Sequence, residues 1–374
     1  MRAPRPGPSA ASRLRRLPHL RAQFPVFEQT AYLNAGTCGP VPSAARSALA
    51  QVYDLGERDG RRMPYFERMQ GLQAQQRAGY AQVLGAPVED VALVTSASDG
   101  MVRVIGGLEL GRGDEILTSD AEHPGLLGPL IAARARSGVT VRAVPLADVP
   151  GEVRPNTKLV ACSHVGWLRG DVVPDLSGVP ADVPALLDGA QSAGAIPVDV
   201  EQLGVEFYAG AGQKWMCGPV GTGMLYVAPE WQDRLAPIGP TYMSFADPKG
   251  PADDWSLHSG ARRHDTPVLA PELSAAAVSA HDLLESYGWD RVHARARDLA
   301  AAFADKLTES GRTVAERGPA TLVSWEEADT ASALQRLNAA GVAVRDLPGT
   351  NLLRASVGAW NDLSDLERLL GGLA

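Results

Sequence analysis

Short apolar runs alternate with helix-period stretches along most of this chain. Runs that read as strands fall at residues 91–95, 115–118, 139–144, 159–163, 185–187, 207–209 and 223–227. Helical periodicity covers 44–57 and 65–84, the second stopping at Gly85 and Pro87, then 99–110 and 124–137. Ser43 is placed to cap the first of these helices. Strands that alternate with helical crossovers predict a mostly parallel α/β sheet, in which ligands gather outside the carboxyl ends of the strands. Residues 231–271 are irregular, with Pro237, Pro240, Pro248, Pro251 and the pair Arg262-Arg263; a loop of that length is functional or lies at an interface. A helical stretch over 272–307, broken at Gly288, leads to a small α+β unit: strand 321–325, helix 331–340, strands 342–345 and 352–356, helix 363–373.

The pattern therefore divides the chain into a flexible basic start (1–23), a Gly/Pro-rich loop (24–42), a large domain (43–270) and linking helices with a small C-terminal domain (271–374). Composition sharpens this picture only at its edges. With 374 residues the chain exceeds what one core usually holds. A formal net charge of −8 argues against nucleic-acid or membrane-surface partners. No run of about twenty apolar residues is present, as a membrane span would require, and no apolar segment follows the early arginines as in a secretory signal. Cys38, Cys162 and Cys217 are too few and scattered for a disulfide framework or a zinc site, which fits a reducing cytoplasm.

The strand ends carry the chemistry. After 91–95 come Ser96-Ala97-Ser98-Asp99-Gly100, small residues opening a helix, whose amides and hydroxyl suit either a phosphate or a simple cap. After 115–118 comes Glu122-His123-Pro124, and a histidine there can stack on a flat ring or move a proton. Past 159–163 lie His164 and Trp167; past 185–187 lie Asp188 and Gln191. Lys214 follows in the Gly-rich segment Ala209-Gly210-Ala211-Gly212-Gln213-Lys214-Trp215. Lysine is rare here, with Lys158, Lys214, Lys249 and Lys306 against a large majority of arginines. Arginine would serve if charge alone were needed, so a lysine in an apolar setting points to Schiff-base chemistry. A lysine for an aldehyde, an acid for a ring nitrogen, an aromatic lid and a phosphate cradle together answer the needs of pyridoxal phosphate.

On these residues the sequence resembles the class V branch of fold-type I pyridoxal phosphate enzymes, which holds cysteine desulfurases, cysteine/cystine C–S lyases and isopenicillin N epimerase-like proteins. The resemblance runs from about Phe24 to Ala374 and is most specific between Asp188 and Val227. It implies Lys214 as the Schiff-base lysine, Asp188 as partner of the pyridine nitrogen, Gln191 as donor to the phenolic oxygen and His123 as the stacking residue. Ala97, Ser98 and Gln213 fall to the phosphate, Arg354 to the substrate carboxylate, and Trp167, Asn34 and Arg345 to the pocket around the substrate. It implies a homodimer with active sites at the interface, Thr266 reaching the neighbour's phosphate, although the spacing in His264-Asp265-Thr266-Pro267 is shortened here.

Desulfurases carry a mobile cysteine in the loop before this arginine. Here that loop reads Val344-Arg345-Asp346-Leu347-Pro348-Gly349-Thr350-Asn351, so no thiolate is offered there. Ser163-His164-Val165-Gly166-Trp167 also looks more like the C–S lyase and epimerase-like branch. The expected reaction is β-elimination of a thiol from cysteine or an S-substituted cysteine. Transamination, decarboxylation with oxidative deamination, and racemisation use the same residues and stay open; intact Lys214, Asp188 and Arg354 count against a non-catalytic scaffold.

Overall fold

The computed structural model describes residues 17–247 and 256–374. Two 3-10 turns and strand β1 (Ala31–Tyr32) precede helices α1 (Ser43–Asp59) and α2 (Met63–Leu84). The alternating region then runs β2 (Val91–Val94), α3 (Ala97–Gly107), β3 (Glu115–Ser119), α4 (Pro124–Ser137), β4 (Thr140–Val144), β5 (Thr157–Ser163), β6 (Ala185–Asp188), the single turn α5 (Val200–Leu203), β7 (Phe207–Ala211) and β8 (Gly223–Val227). Helices α6 (Pro271–Tyr287) and α7 (Trp289–Glu309) lead to β9 (Leu322–Glu326), α8 (Thr330–Ala339), β10 (Val342–Ala343), β11 (Arg345–Asp346), β12 (Leu352–Ser356) and α9 (Leu363–Leu373).

Strands β2 to β8 form a seven-stranded sheet in the order β2-β8-β7-β6-β5-β3-β4, parallel except for β8, which runs against both neighbours. Each interior strand is buried on both faces, which is why these segments read as nearly unbroken apolar runs; the edge strand β4 is half-exposed. One apolar layer joins the sheet to α2, and a second joins it to α3 and α4. From β3 the chain moves outward to β4, then returns to the other side of β3 to lay down β5, β6 and β7. The β3/β5 boundary is thus a topological switch point, where a crevice opens beyond the carboxyl ends.

The small domain holds the antiparallel sheet β11-β12-β9 and the parallel pair β1-β10. The strand expected over 342–345 is therefore two short strands. Val344, buried between them, is where the chain leaves β1 for β12, because one strand cannot keep both partners. Ser43 is a further correction: it is the first helical residue of α1 and makes no capping bond, since Pro42 already supplies the extended N-cap backbone. Of the start expected to be flexible, residues 1–16 lie outside the described residues. Residues 17–23 are packed, with Leu17 and Leu20 buried and Arg21 paired to Asp365 at 2.6 Å. In the irregular stretch 231–271, 248–255 lie outside the described residues, and short 3-10 turns occur at Tyr242–Ser244 and Gly260–His264. No helix among the described residues is long and apolar enough to cross a membrane.

Candidate active site

A narrow crevice lies at the carboxyl ends of β5 and β6, lined by His123, Ser163, Val165, Trp167, Asp188, Ala190, Gln191 and Lys214. The parallel sheet brings these together: Ser163 and Asp188 end adjacent strands and face each other in register, while Lys214 follows β7, the next strand across. No group of side chains suited to a metal ion occurs among the described residues.

Asp188 is buried, and its Oδ1 accepts from Ala190 N at 2.9 Å. Burial drives its pKa up, against the opposing pull of Lys214 and that amide. Burial likewise pushes Lys214 down to about 8; Asp188 resists this, and Arg354 and Arg345 add to it. An amine with that proton affinity can be neutral and nucleophilic near physiological pH, as carbonyl chemistry requires.

His123 opens α4. Its Nδ1 accepts from Gly125 N at 3.0 Å, so the proton of the neutral ring sits on Nε2. Burial, then the charges of Lys214, Arg345 and Arg354, lower its pKa to about 4, and a neutral ring results. Trp167 stands edge-on to it with centroids 5.0 Å apart, and its indole N–H donates to Ala121 O at 3.1 Å. The tryptophan therefore walls the pocket rather than filling the core.

Gln191 has an unambiguous orientation. Trp215 Nε1 can only donate and meets Oε1 at 3.1 Å; Gly36 O can only accept and meets Nε2 at 2.8 Å. One amide hydrogen of Gln191 is left for a further acceptor. Gly36 belongs to a loop 155 residues away in sequence, and the approach is close: a Cβ on it would lie 2.7 Å from Ser356 Oγ and 2.9 Å from both Arg354 Nη2 and Gln191 Oε1. In the same loop Thr37 Oγ1 donates to Asn34 Oδ1 at 2.8 Å and meets Arg345 Nη1 at 3.4 Å, while Gly39 N bonds Gln213 O.

Arg354, 1% exposed, donates from Nη1 to Trp167 O at 2.6 Å; its Nε and Nη2 have no partner among the described residues. Those two atoms form the side-on edge of a guanidinium, the edge that grips a carboxylate with two bonds. Arg345 lies directly across the β11–β12 ladder from it, and neither arginine is paired with an acid among the described residues. Burial and the neighbouring Arg345 push Arg354 down to about 9, still charged at neutral pH.

At the start of α3, Ser96 accepts from Asp99 N at 3.1 Å, so the capping function belongs to Ser96, leaving Ala97 and Ser98 in the first turn. Ser98 Oγ lies 2.7 Å from where a Cβ on Gly125 would be, which sets the N-termini of α3 and α4 side by side. Gln213 Oε1 is buried without a partner among the described residues. Thr266 is buried beside edge strand β2, its N–H bonded to Leu93 O at 2.8 Å, and does not line the pocket of its own chain. Cys162 and Cys217 are core thiols, raised by burial; Cys38 is half-buried.

The residues fit pyridoxal phosphate. A buried acid without a cation pair among the described residues faces a lysine of lowered proton affinity, a neutral flat ring lies beside them, and two helix N-termini converge where an anion would sit. Sequence reasoning did not assign Ser163, Trp215 or Gly36 to the site. Only Gly36 left a signal, in the Gly/Pro-rich texture of its loop.

The profile of the family described as Aminotransferase class-V matches residues 33–369. The chain is 27% identical to the cysteine desulfurase CsdA of Escherichia coli (strain K12), over 94% of this chain and 96% of that one. It is 28% identical to the isopenicillin N epimerase of Amycolatopsis lactamdurans, with the same coverage. Two solved structures of C-DES superpose closely. One is a mutant with glycine covalently linked to the PLP cofactor (TM-score 0.89, 26% identity, 94% of this chain and 98% of that one). The other is the cystine C–S lyase with its product cysteine persulfide (TM-score 0.87, 27% identity, 94% and 99%).

Proposed function

The chain belongs to the aminotransferase class-V family of fold-type I, pyridoxal-phosphate-dependent enzymes, and we propose that it is a C–S β-lyase acting on an S-substituted cysteine whose substituent carries a second anionic group. The observation that carries this reading is the β11–β12 hairpin. It sets Arg345 and Arg354 opposite each other without acidic partners among the described residues, and its connecting loop has no cysteine. Two arginines answer two anionic groups; a persulfide route through that loop lacks its thiol. The likeness to a cystine C–S lyase supports the same substrate class.

In this reading Lys214, Asp188, Gln191, His123, Ala97, Ser98 and Gln213 hold the cofactor. When bound, it supplies an aldehyde for amine exchange and a ring that accepts the electron pair left by the α-proton. Arg354 takes the substrate α-carboxylate on Nε and Nη2 and fixes the Cα–H orientation; Arg345 takes the second anion. Lys214 Nζ, freed by exchange, removes the α-proton, which its lowered proton affinity permits near neutral pH. The Cβ–S bond then breaks, the sulfur leaves with the electron pair, and hydrolysis of the three-carbon remnant yields pyruvate and ammonia. Asp188 keeps the ring nitrogen protonated, and His123 and Trp167 exclude water from one side.

The large and C-terminal domains close the site between them within a homodimer, and Thr266 serves the neighbour's phosphate. Exposed Tyr53, Met63, Phe66, Val220 and Val268 supply apolar area for that interface, and sedimentation should report two copies. The deciding experiment combines absorbance with product analysis. The purified protein should show a band near about 420 nm that Lys214→Ala abolishes. Thiol or persulfide should appear with equimolar pyruvate; carbon dioxide without thiol, or a colourless protein that takes up no cofactor, would overturn the assignment.

A further inference from the structure

Glu122 stands beside His123, yet nothing above uses it. The residue is 5% exposed, and its carboxyl has no cationic partner among the described residues. It is held instead by three hydrogen bonds: Ser119 Oγ to Oε1 at 2.5 Å, Ser163 N to Oε1 at 2.8 Å, and a short contact between Ser163 Oγ and Oε2. The location gives these bonds their meaning. The β3–β5 ladder pairs residues up to Leu117 with Val160, and beyond that the two strands part at the switch point to open the crevice. Ser119 ends β3 and Ser163 ends β5, so the carboxyl bridges the two strands where backbone pairing has ceased and satisfies the Ser163 amide.

We propose that Glu122 is a positioning residue, a hydrogen-bonding staple across the β3/β5 switch point that seats the His123 ring and Ser163 against the cofactor. Its reach extends in both directions along the chain. His123 follows it directly, and Ala121, which precedes it, holds the Trp167 indole. Ser163 lines the cavity and sits in register with Asp188. Burial raises the carboxyl's proton affinity, the hydrogen bonds from Ser119 and Ser163 pull it back, and the Asp188 charge adds a further upward push. Oε1 accepts from Ser119 Oγ and Ser163 N, and Oε2 accepts from Ser163 Oγ. Glutamine keeps the bridge, its Oε1 accepting from Ser119 Oγ and Ser163 N and its Nε2 donating to a rotated Ser163 hydroxyl, whereas alanine removes it.

The inference rests on the cofactor reading above, so the test compares variants with a wild type already shown to take up pyridoxal phosphate; a wild type that takes up none would defeat that reading, not this one. Apo-protein is titrated with pyridoxal phosphate, following the absorbance near about 420 nm and its induced circular dichroism, which reports how the ring is seated. Glu122→Gln should bind within about threefold of wild type with the same dichroic band, and Glu122→Ala should bind roughly tenfold or more weakly with a diminished band, as loss of a supporting shell does at other sites. Equal weakening in Gln and Ala would show that the charge matters rather than the bond pattern, and wild-type binding by Glu122→Ala would show that the staple is idle; either overturns the proposal. Should Glu122→Ala fail to fold, the double variant Ser119→Ala/Ser163→Ala removes both hydroxyl partners, and the same weakening is expected, with unchanged binding again refuting it.

Discussion

Replacing Arg345 by glutamine separates recognition of a second anionic group from everything else in the proposed reaction. Arg345 and Arg354 are directly opposed in an antiparallel pair, and no acid compensates either among the described residues. At an effective dielectric near 20, two like charges repel by about 1.7 kcal/mol at a separation of roughly 10 Å. Arg345 is only half-buried, so solvent screening reduces this to about 1 kcal/mol. The variant's apo-protein should thus melt about 1–3 °C higher than wild type. Function should move the other way. Losing a charge-assisted pair to the substrate costs about 1.5–3 kcal/mol, or roughly 10- to 150-fold in kcat/KM. That loss should fall on cystine-like substrates with a second carboxylate, while S-methylcysteine changes by less than about threefold. Steady-state assays of thiol and pyruvate on the matched pair decide it. Equal losses on both substrates, or none on the dianionic one, would refute the reasoning. Removing this charge also relieves Lys214 and His123 of one of the influences that lower them, so both should titrate higher in the variant.

Gly36→Ala forces a methyl group against Ser356 Oγ, Arg354 Nη2 and Gln191 Oε1. Overpacking of about 1–3 kcal/mol at that point should raise substrate KM about tenfold, and a wild-type KM would mean the loop yields freely. His164, His264 and His293 are each at most 5% exposed and lowered by burial to about 4, below their ordinary 6.5. Between those values the unfolded chain binds more protons than the folded one, so stability falls as pH drops from 6.5 to 4. With roughly 3 kcal/mol from each as an upper bound, cooperative acid unfolding should be seen by circular dichroism in that window, and a melting temperature flat from pH 7 to 4 would contradict it. Cys38→Ser should leave thiol release within about twofold of wild type, since elimination needs no acceptor thiol. A collapse of turnover would instead mark Cys38 as taking up the sulfur.

The sheet, its seven strands and the helices between them were legible because each depends on a local period: buried parallel strands read as apolar runs and helices repeat every 3.6 residues. Strand 223–227 and helices 124–137 and 363–373 have in the structure the limits expected from pattern alone. Lys214, Asp188 and His123 were legible too, as chemically unusual residues just past strand ends. Segment 342–345 was not, since a change of strand partner at Val344 leaves no mark on local hydrophobicity.

The chain's sequence, taken by itself, therefore determined the architecture and the set of reactive groups. Only the tertiary structure decided how those groups face one another. The order β6-β5-β3 places Ser119, Glu122 and Ser163 across an opening, the β11–β12 register sets Arg345 against Arg354, and Gly36 meets Gln191 and Arg354 from a distant loop. Such meetings join residues up to hundreds of positions apart. They depend on which strands lie side by side, a property of the whole packed sheet that no local period encodes.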